Sequence, residues 1–217
     1  MNNPKTAVVA GASGLVGSHL LQALLQSTSY GQVVALVRKP LGVNHSKLRE
    51  VPMDFDALSF PVDDVFCALG TTIRKAGSKE AFLKVDTELP LALAKWALAH
   101  GAGQFALVSS VGSDVASGNF YLQVKGTLEA ELNGMPFRSV HVARPSFLLG
   151  DRGEVRFGEK LSIGAATILQ PFLMGGLRIY RSIQAETVAR ALVDAAIGGK
   201  PGRFVYHYDE LQQMSNS

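Results

Sequence analysis

The sequence predicts a doubly wound α/β fold, in which a single parallel β-sheet carries helices on both faces. Short apolar runs that do not alternate with polar residues recur along the chain. Strands of this kind are buried on both faces, as in a parallel sheet covered by helices. Segments with helical spacing separate these runs, which is typical of βαβ units. The 217 residues, of which 47% are hydrophobic, suffice for a sizeable core, and we expect one domain over residues 1–217.

The predicted elements follow in order along the chain. The strands are Thr6–Ala10, Gln32–Val37, Val65–Leu69, Phe105–Ser109, Val140–Ala143 and Arg203–Tyr208. The helices are Leu15–Leu25, Thr87–His100, Tyr121–Asn133 and Ala185–Ile197, and a glycine follows each of the last three. Asp86 is the expected N-cap of the second helix. The segment 146–182 is the least regular, and we expect a small substrate lobe there, over the carboxyl edge of the sheet.

Two uncharged runs raise the question of a membrane span. Thr6–Val37 contains no Asp, Glu, Lys or Arg and is long enough to cross a bilayer. Four glycines, His19 and the polar cluster Gln26–Ser29 interrupt it, which favours a buried core. The second run, Leu161–Leu177, contains Pro171 and favours a core or pocket-lining segment, with a membrane-facing patch as the alternative. We therefore expect no transmembrane segment.

Composition excludes several classes of function. The net charge is only +3 and the basic residues are scattered, so a nucleic-acid-binding arm is not expected. The single cysteine, Cys67, rules out an internal disulfide framework and a multi-cysteine zinc site. It is compatible with a reducing compartment, and the expected location is cytoplasmic. The remaining histidines show no ligand spacing, so no metal site is predicted: His45, His100, His141 and His207.

A glycine loop joins the first predicted strand to the first helix. Gly11, Gly14 and Gly17 stand three residues apart in this loop. In a Rossmann-type fold they permit the tight turn, the close approach of a pyrophosphate and the packing of the helix on the sheet. The phosphates then lie at the helix N-terminus, where amide hydrogens are free. We expect a dinucleotide here, contacted by Gly11, Ser13, Gly14, Leu15 and Val16.

The residue at the end of the second strand indicates which dinucleotide binds. An acid at this place would accept hydrogen bonds from the ribose 2′-hydroxyl of NAD. Arg38 stands there instead, 21 residues after Gly17, with Lys39 beside it. A guanidinium can bind a 2′-phosphate in a bidentate manner, so NADP(H) is predicted and NAD(H) is the less favoured alternative.

A serine, a tyrosine and a lysine are spaced for carbonyl chemistry. Tyr121 and Lys125 lie four residues apart and share one helix face. A lysine ammonium stabilises a nearby phenolate and moves its pKa towards the working range. The pair Ser109–Ser110 follows an apolar strand at the carboxyl edge of the sheet, where a hydroxyl can hold a substrate carbonyl oxygen. Ser110 is the expected hydroxyl, with Ser109 as the alternative.

These segments together resemble the atypical short-chain dehydrogenases/reductases, and more narrowly the Tat-interacting-protein-like oxidoreductases. The resemblance rests on GASGLVG at 11–17, VR at 37–38, LVSSVGS at 107–113, YLQVKG at 121–126 and ARPSFLLGDR at 143–152. It implies a Rossmann fold, NADP(H) and hydride transfer to or from a small carbonyl or alcohol substrate. It implies Tyr121 as the general acid, Lys125 as its modulator and ribose ligand, and Ser110 as the carbonyl partner.

The resemblance also implies further cofactor contacts. They are Asp54 and Phe55 at the adenine, Ala68, Leu69, Gly70 and Thr71 at the adenosine and ribose, and Pro145, Ser146 and Phe147 at the nicotinamide. Two departures stand out: Ala68–Gly70 replaces the family's Asn-Ala-Gly, and Asp86 replaces an Asn that often relays protons.

These departures leave a second function open, an NADP(H)-binding regulatory or scaffold protein with little or no turnover. An NADP-assisted epimerase or dehydratase would need additional acid–base residues that the sequence does not identify. The oligomeric state, monomer or homodimer, also stays open.

Overall fold

Seven parallel strands form the central sheet in the computed structural model, which describes residues 4–55, 57–150 and 173–215. The strands are β1 (Lys5–Ala10), β2 (Tyr30–Val37), β3 (Leu48–Pro52), β4 (Asp64–Cys67), β5 (Gln104–Val108), β6 (Ser139–Ala143), β7 (Leu148–Leu149), β8 (Ile183–Gln184) and β9 (Gly202–Tyr206). Their order in the large sheet is β3-β2-β1-β4-β5-β6-β9, whereas β7 and β8 form a separate parallel pair. The predicted fold class is confirmed, and the chain order reverses between β1 and β4.

Helices cover both faces of the sheet. They are α1 (Leu15–Gln26), α2 (Ile73–Ala76), α3 (Lys79–Leu83), a π-helical turn (Lys84–Glu88), α4 (Leu89–Ala99), α5 (Phe120–Gly134), a 3₁₀ helix (Gly175–Tyr180), α6 (Ala185–Gly198) and α7 (Tyr208–Met214). Alternate residues of β1 enter two separate cores, as the two-residue period of a strand requires. Val9 packs with buried residues of α1 and α6, and Val8 packs with those of α4 and α5.

The long uncharged run Thr6–Val37 forms β1, α1 and β2. Its apolar side chains fill the core on both sides of β1, which explains why the run carries no charge. No helix in the described part of the chain combines the length and the apolar character that a membrane span needs. At the described end of the second run, Met174 is 71% and Leu177 53% exposed. A core position is therefore wrong for this end, whereas the pocket-lining alternative stays a prediction. Residues 151–172 lie outside those described.

The predicted helix Thr87–His100 differs most from the structure. Helical backbone continues from Lys79 through a π-helical turn into α4, so Asp86 lies inside it and is not an N-cap. The carboxylate of Asp86 is fully buried and binds Lys125 instead of the helix N-terminus. A tertiary ion pair thus overrides a local capping preference. The strand β3 and the short helices α2, α3 and α7 were not predicted, because each is short and lacks a clear hydrophobic period.

A largely buried polar network runs from the amino-terminal ends of β4 and β5 to the carboxyl end of β9. Asp64 accepts hydrogen bonds from the Tyr30 hydroxyl (2.7 Å) and from the Gln104 amide (2.8 Å). The Gln104 side chain also lies 3.4 Å from Nε2 of His141, whose Nδ1 is 2.9 Å from the Tyr206 hydroxyl. Burial lowers the pKa of His141 to about 4. The network satisfies polar groups that would otherwise be costly to bury.

Candidate active site

The glycine loop closes tightly between β1 and β4. Gly11 has a φ of +88°, and a Cβ on it would lie 2.5 Å from the carbonyl oxygen of Ala68. A Cβ on Gly17 would lie 2.0 Å from the carbonyl oxygen of Gly11. Neither position can hold a larger residue without displacing backbone. The loop therefore lies at the point where the strand order reverses, the usual ligand-binding crevice of an open α/β sheet.

The N-terminus of α1 opens at this loop. Gly14 is its N-cap, no side-chain hydrogen bond caps it, and its first turn contains no acidic residue. The first amides of an α-helix have no intrahelical partner, so they are available to an anion. The side chains of Leu15 and Val16 are buried, so these residues can offer their backbone amides, and Ser13 is exposed beside them.

Arg38 follows β2 directly and is exposed, without a hydrogen bond or ion pair to any residue that the structure describes. Val37 pairs with Pro52 of β3, so the segment after β3 lies at the same edge of the sheet. Asp54 is exposed there and begins a turn, and the ring of Phe55 packs 6.2 Å from that of Trp96. The structure thus brings Arg38, Asp54 and Phe55 to one edge of the sheet.

The two serines after β5 have different surroundings. Ser109 is buried, and its hydroxyl donates to Glu129 and lies 3.1 Å from that of Ser113. Ser110 is partly exposed, and among the described residues its hydroxyl makes only a 3.3 Å hydrogen bond, to the carbonyl oxygen of Val111. Ser109 is occupied with structural contacts, whereas Ser110 is free to meet a ligand. The geometry favours Ser110 of the two candidates.

A buried ion pair behind Ser109 holds this strand end in place. Glu129 of α5 is 3% exposed and accepts two hydrogen bonds from Arg144 at Oε2, from Nε at 3.0 Å and from a terminal nitrogen at 2.6 Å. The same carboxylate accepts from Ser109, so it links α5, β5 and the residue after β6. Sequence reasoning missed Glu129, because nothing in the local pattern distinguishes it from an exposed helix acid.

Tyr121 and Lys125 lie on the first two turns of α5, which Asn119 caps. The ring of Tyr121 contacts that of Phe82 at 5.9 Å and is partly exposed, and its phenol has no hydrogen-bond partner among the described residues. Lys125 is only 3% exposed, and its ammonium interacts electrostatically with Tyr121. The helix therefore presents a free phenol beside a buried cation.

The partner of this cation is Asp86. Its Oδ1 lies 2.8 Å from Nζ of Lys125, and its Oδ2 accepts a 2.9 Å hydrogen bond from the amide of Thr71. Burial opposes the charge on Lys125, but the Asp86 carboxylate and Tyr121 outweigh this effect, so the pKa of Lys125 is raised. A Cβ on Gly70 would lie 3.5 Å from the same carboxylate, which places the Gly70–Thr71 loop directly over the ion pair. Ala68 and Leu69, which precede this loop, are partly buried.

The segment after β6 lies beside Ser110. The amide of Val111 donates to the carbonyl oxygen of Pro145 at 2.9 Å. The hydroxyl of Ser146 donates to the backbone carbonyl oxygen of Tyr180 at 2.9 Å. Phe147 is 49% exposed. These contacts bring Pro145–Phe147 to the edge of the sheet where Ser110 follows β5. Within the described part of the chain, no three His, Cys, Asp or Glu side chains lie close enough to hold a metal ion.

Comparison with known proteins identifies the family. Residues 7–119 match the family model described as the NAD dependent epimerase/dehydratase family. The chain belongs to this family. It is 38% identical over 167 residues to "Protein HTATIP2" of Rattus norvegicus, across 73% of this chain and 69% of that protein. This similarity confirms the resemblance to the Tat-interacting-protein-like, atypical short-chain dehydrogenases/reductases.

Fungal relatives and solved structures extend the comparison. The chain is 31% identical to "Protein FMP52-1, mitochondrial" of Scheffersomyces stipitis, across 96% of this chain and 98% of that protein. Its fold is similar to that of UDP-N-acetylglucosamine 4-epimerase from Methanobrevibacter ruminantium (TM-score 0.66, 14% identity, 95% and 77% of the two chains). It is also similar to a short chain dehydrogenase family protein from Francisella tularensis (TM-score 0.62, 15% identity, 94% and 97%).

The names of the fungal relatives correct one expectation. Similar proteins from Scheffersomyces stipitis, Candida glabrata and Neurospora crassa are all named as mitochondrial. The expected cytoplasmic location is contradicted by this finding. It rested on a single cysteine, and one reduced thiol does not distinguish between reducing compartments.

Proposed function

We propose that this chain is an NADP(H)-dependent oxidoreductase that transfers a hydride between the cofactor and a small carbonyl or alcohol substrate. The observation that carries the proposal is the grouping at one sheet edge of a free phenol (Tyr121), a buried ammonium (Lys125) and an accessible hydroxyl (Ser110). The nearby glycine loop and uncapped helix N-terminus supply a place for a dinucleotide.

The described residues fit a phosphorylated dinucleotide. Gly11 has no room for a side chain because the backbone of Ala68 lies against it, so the chain makes the tight turn after β1 that a dinucleotide-binding glycine loop needs. Arg38 has no competing acidic partner among the described residues, so its guanidinium is available to a 2′-phosphate. We infer that Asp54 and Phe55 border the adenine, that Ala68, Leu69, Gly70 and Thr71 meet the adenosine and ribose, and that Pro145, Ser146 and Phe147 meet the nicotinamide.

When bound, the nicotinamide supplies the hydride that this chemistry requires. The protein supplies the proton and the orientation. Ser110 and Tyr121 hold the substrate carbonyl oxygen, and the Tyr121 hydroxyl gives its proton to that oxygen as negative charge develops on it. Lys125 stabilises the resulting phenolate and reaches the ribose hydroxyls. In the alcohol-oxidising direction the same phenolate accepts the proton.

A second function has one observation in its favour. The Asp86 carboxylate offsets the charge of Lys125, which reduces the support that the ammonium gives to a phenolate. A site of this kind would bind NADP(H) with little turnover and would act as a regulatory or scaffold protein. The free phenol of Tyr121 favours the oxidoreductase.

Two measurements test the proposal and separate these functions. Fluorescence titration with NADPH should show saturable binding; failure to bind would contradict both functions. The oxidation of NADPH in the presence of a panel of aldehydes, ketones and quinones should then reveal a substrate. Tyr121→Phe should lower its turnover by about 100-fold or more. Tyr206→Phe is a matched control, because it also removes a phenolic hydroxyl, but one that binds His141. Equal inactivity of the wild type and Tyr121→Phe would favour the regulatory function.

A further inference from the structure

Asp86 is unusual because it places a full negative charge inside the site. It is completely buried, and its two oxygens have separate partners, Nζ of Lys125 at 2.8 Å and the amide of Thr71 at 2.9 Å. A neutral amide could accept the second hydrogen bond equally well. Only a carboxylate forms an ion pair with the first partner, so the charge itself needs an explanation.

We propose that Asp86 is a positioning residue that fixes Lys125 beneath the Gly70–Thr71 loop and offsets its charge, so that Tyr121 is held as a neutral phenol. This inference rests on the proposed function and deepens it. A neutral phenol is the form that donates a proton during carbonyl reduction, whereas alcohol oxidation requires the phenolate. Asp86 therefore adapts the site to reduction at neutral pH and displaces oxidation to more alkaline pH.

The groups around Asp86 and Lys125 do not neutralise the charge of either residue, so the two charges offset each other. Burial raises the pKa of Cys67 to about 11, so its thiol is neutral at physiological pH. Glu129, one turn further along α5, already forms an ion pair with Arg144. The other charged groups on the helices packed around the pair are exposed, namely Lys79, Glu80, Lys84, Glu88, Lys95 and Glu131. Water screens such exposed charges, so the buried carboxylate dominates the field at Lys125.

The balance of the reaction shows where this charge acts. In reduction, the hydride forms the new C–H bond, the carbonyl oxygen takes the proton of the Tyr121 hydroxyl, and the NADPH named in the proposed function is oxidised to NADP⁺. Lys125 stabilises the phenolate left on Tyr121 only with the part of its positive charge that Asp86 does not offset. A weaker net positive charge keeps the phenol protonated between turnovers.

The test titrates Tyr121 directly in the cofactor-free protein. The near-ultraviolet absorbance of phenolate is followed against pH for each protein and for the same protein carrying Tyr121→Phe, and the difference isolates Tyr121. In Asp86→Asn the phenolate would face an uncompensated ammonium, so the apparent pKa of Tyr121 should fall by about one unit or more. An unchanged or raised value would overturn the proposal.

A second variant keeps the test decisive if Asp86→Asn does not fold, since an unpaired buried ammonium is destabilising. The double variant Asp86→Asn/Lys125→Gln has no buried charge left to compensate. If Asp86 offsets Lys125 in the wild type, the Tyr121 titration of this variant should lie within about half a unit of the wild-type value. A rise of about one unit or more would show that Lys125 acts uncompensated, and would overturn the proposal.

Asp64→Asn is the matched control. Asp64 is also a buried carboxylate in an ion pair, with Lys5 at 3.0 Å, but it lies at the start of β4, at the opposite end of the strand from the Gly70–Thr71 loop. Loss of this carboxylate should leave the Tyr121 difference titration unchanged. A shift in Asp64→Asn equal to that in Asp86→Asn would overturn the proposal, because the effect would then be general.

None of these measurements requires turnover. A protein that shows the expected shifts but reduces no carbonyl supports the role of Asp86 and contradicts the proposed function, so the two failures are distinguishable.

Discussion

Replacing His141 with phenylalanine is expected to remove much of the acid sensitivity of this fold. His141 is 1% exposed, and its ring stacks on Phe204 at 5.3 Å. The amide nitrogen of Gln104 is committed to Asp64 and to a backbone oxygen, so its carbonyl oxygen faces Nε2 of the histidine. This network assigns the proton to Nε2, and Nδ1 then accepts from the Tyr206 hydroxyl. A second ring proton, on Nδ1, would require the Tyr206 hydroxyl to accept instead of donate and would place a positive charge in a buried position.

The size of the stability loss at acid pH follows from the shift in the pKa of His141. Burial lowers this pKa to about 4, against about 6.5 for histidine in an unfolded chain. Between these values the unfolded state binds more protons than the native state, so the free energy of unfolding falls as the pH falls. The linkage relation gives a loss of about 2 kcal/mol at pH 5 and about 3 kcal/mol at pH 4, relative to neutral pH.

Urea unfolding followed by circular dichroism at a series of pH values between neutral and about pH 4 measures this loss. His141→Phe should be less stable than the wild type at neutral pH, because it leaves the buried Gln104 carbonyl oxygen and the half-buried Tyr206 hydroxyl without their partner, but it should lack the acid-dependent loss. Tyr206→Phe is the control: it breaks the same 2.9 Å hydrogen bond and keeps the histidine, so it should retain the loss. Parallel pH dependence in the wild type and His141→Phe would refute the reasoning.

Three further predictions concern the site. Arg38→Asp should weaken NADPH binding about tenfold or more and NADH binding much less, as fluorescence titration would show, and equal losses would remove the argument for a 2′-phosphate. Glu129→Gln leaves Arg144 without its counter-charge and should lower the free energy of unfolding by about 3 kcal/mol in urea; a negligible change would mean that the pair contributes no net stability. Gly17→Ala would place a Cβ 2.0 Å from a backbone oxygen of the loop and should abolish NADPH binding, whereas Gly134→Ala meets nothing within 4 Å and should retain it. Binding by both glycine variants would contradict the tight packing of the loop.

Much of the fold could be predicted because most strands of the large sheet are buried on both faces. Such strands are continuous apolar runs, and all six predicted ones are present, with ends shifted by at most two residues. The seventh, β3 (Leu48–Pro52), lies at the edge of the sheet and contains Arg49 and Glu50, so its sequence carries no apolar run. The other edge strand, β9, contains the apolar run Phe204–Tyr206 and was predicted, whereas composition alone does not distinguish β3 from a loop.

The candidate site was predictable to the extent that local motifs define it. The glycine loop, the residue after β2 and the four-residue spacing in α5 single out Gly11, Arg38 and Tyr121 as candidates, and the parallel topology then brings them to one edge. Their roles stay predictions. The choice between Ser109 and Ser110 was not predictable, because it depends on Glu129, which is 20 residues away from Ser109.

The sequence by itself therefore determined the α/β class and predicted the glycine loop and the candidate site residues, because these depend on residues close together in the chain. The tertiary structure decided the charges around them. Asp86, expected to cap a helix, became the buried partner of Lys125, since the burial of an ammonium requires a counter-charge wherever the fold can supply one. Such pairing joins residues 39 positions apart, and no local pattern records it.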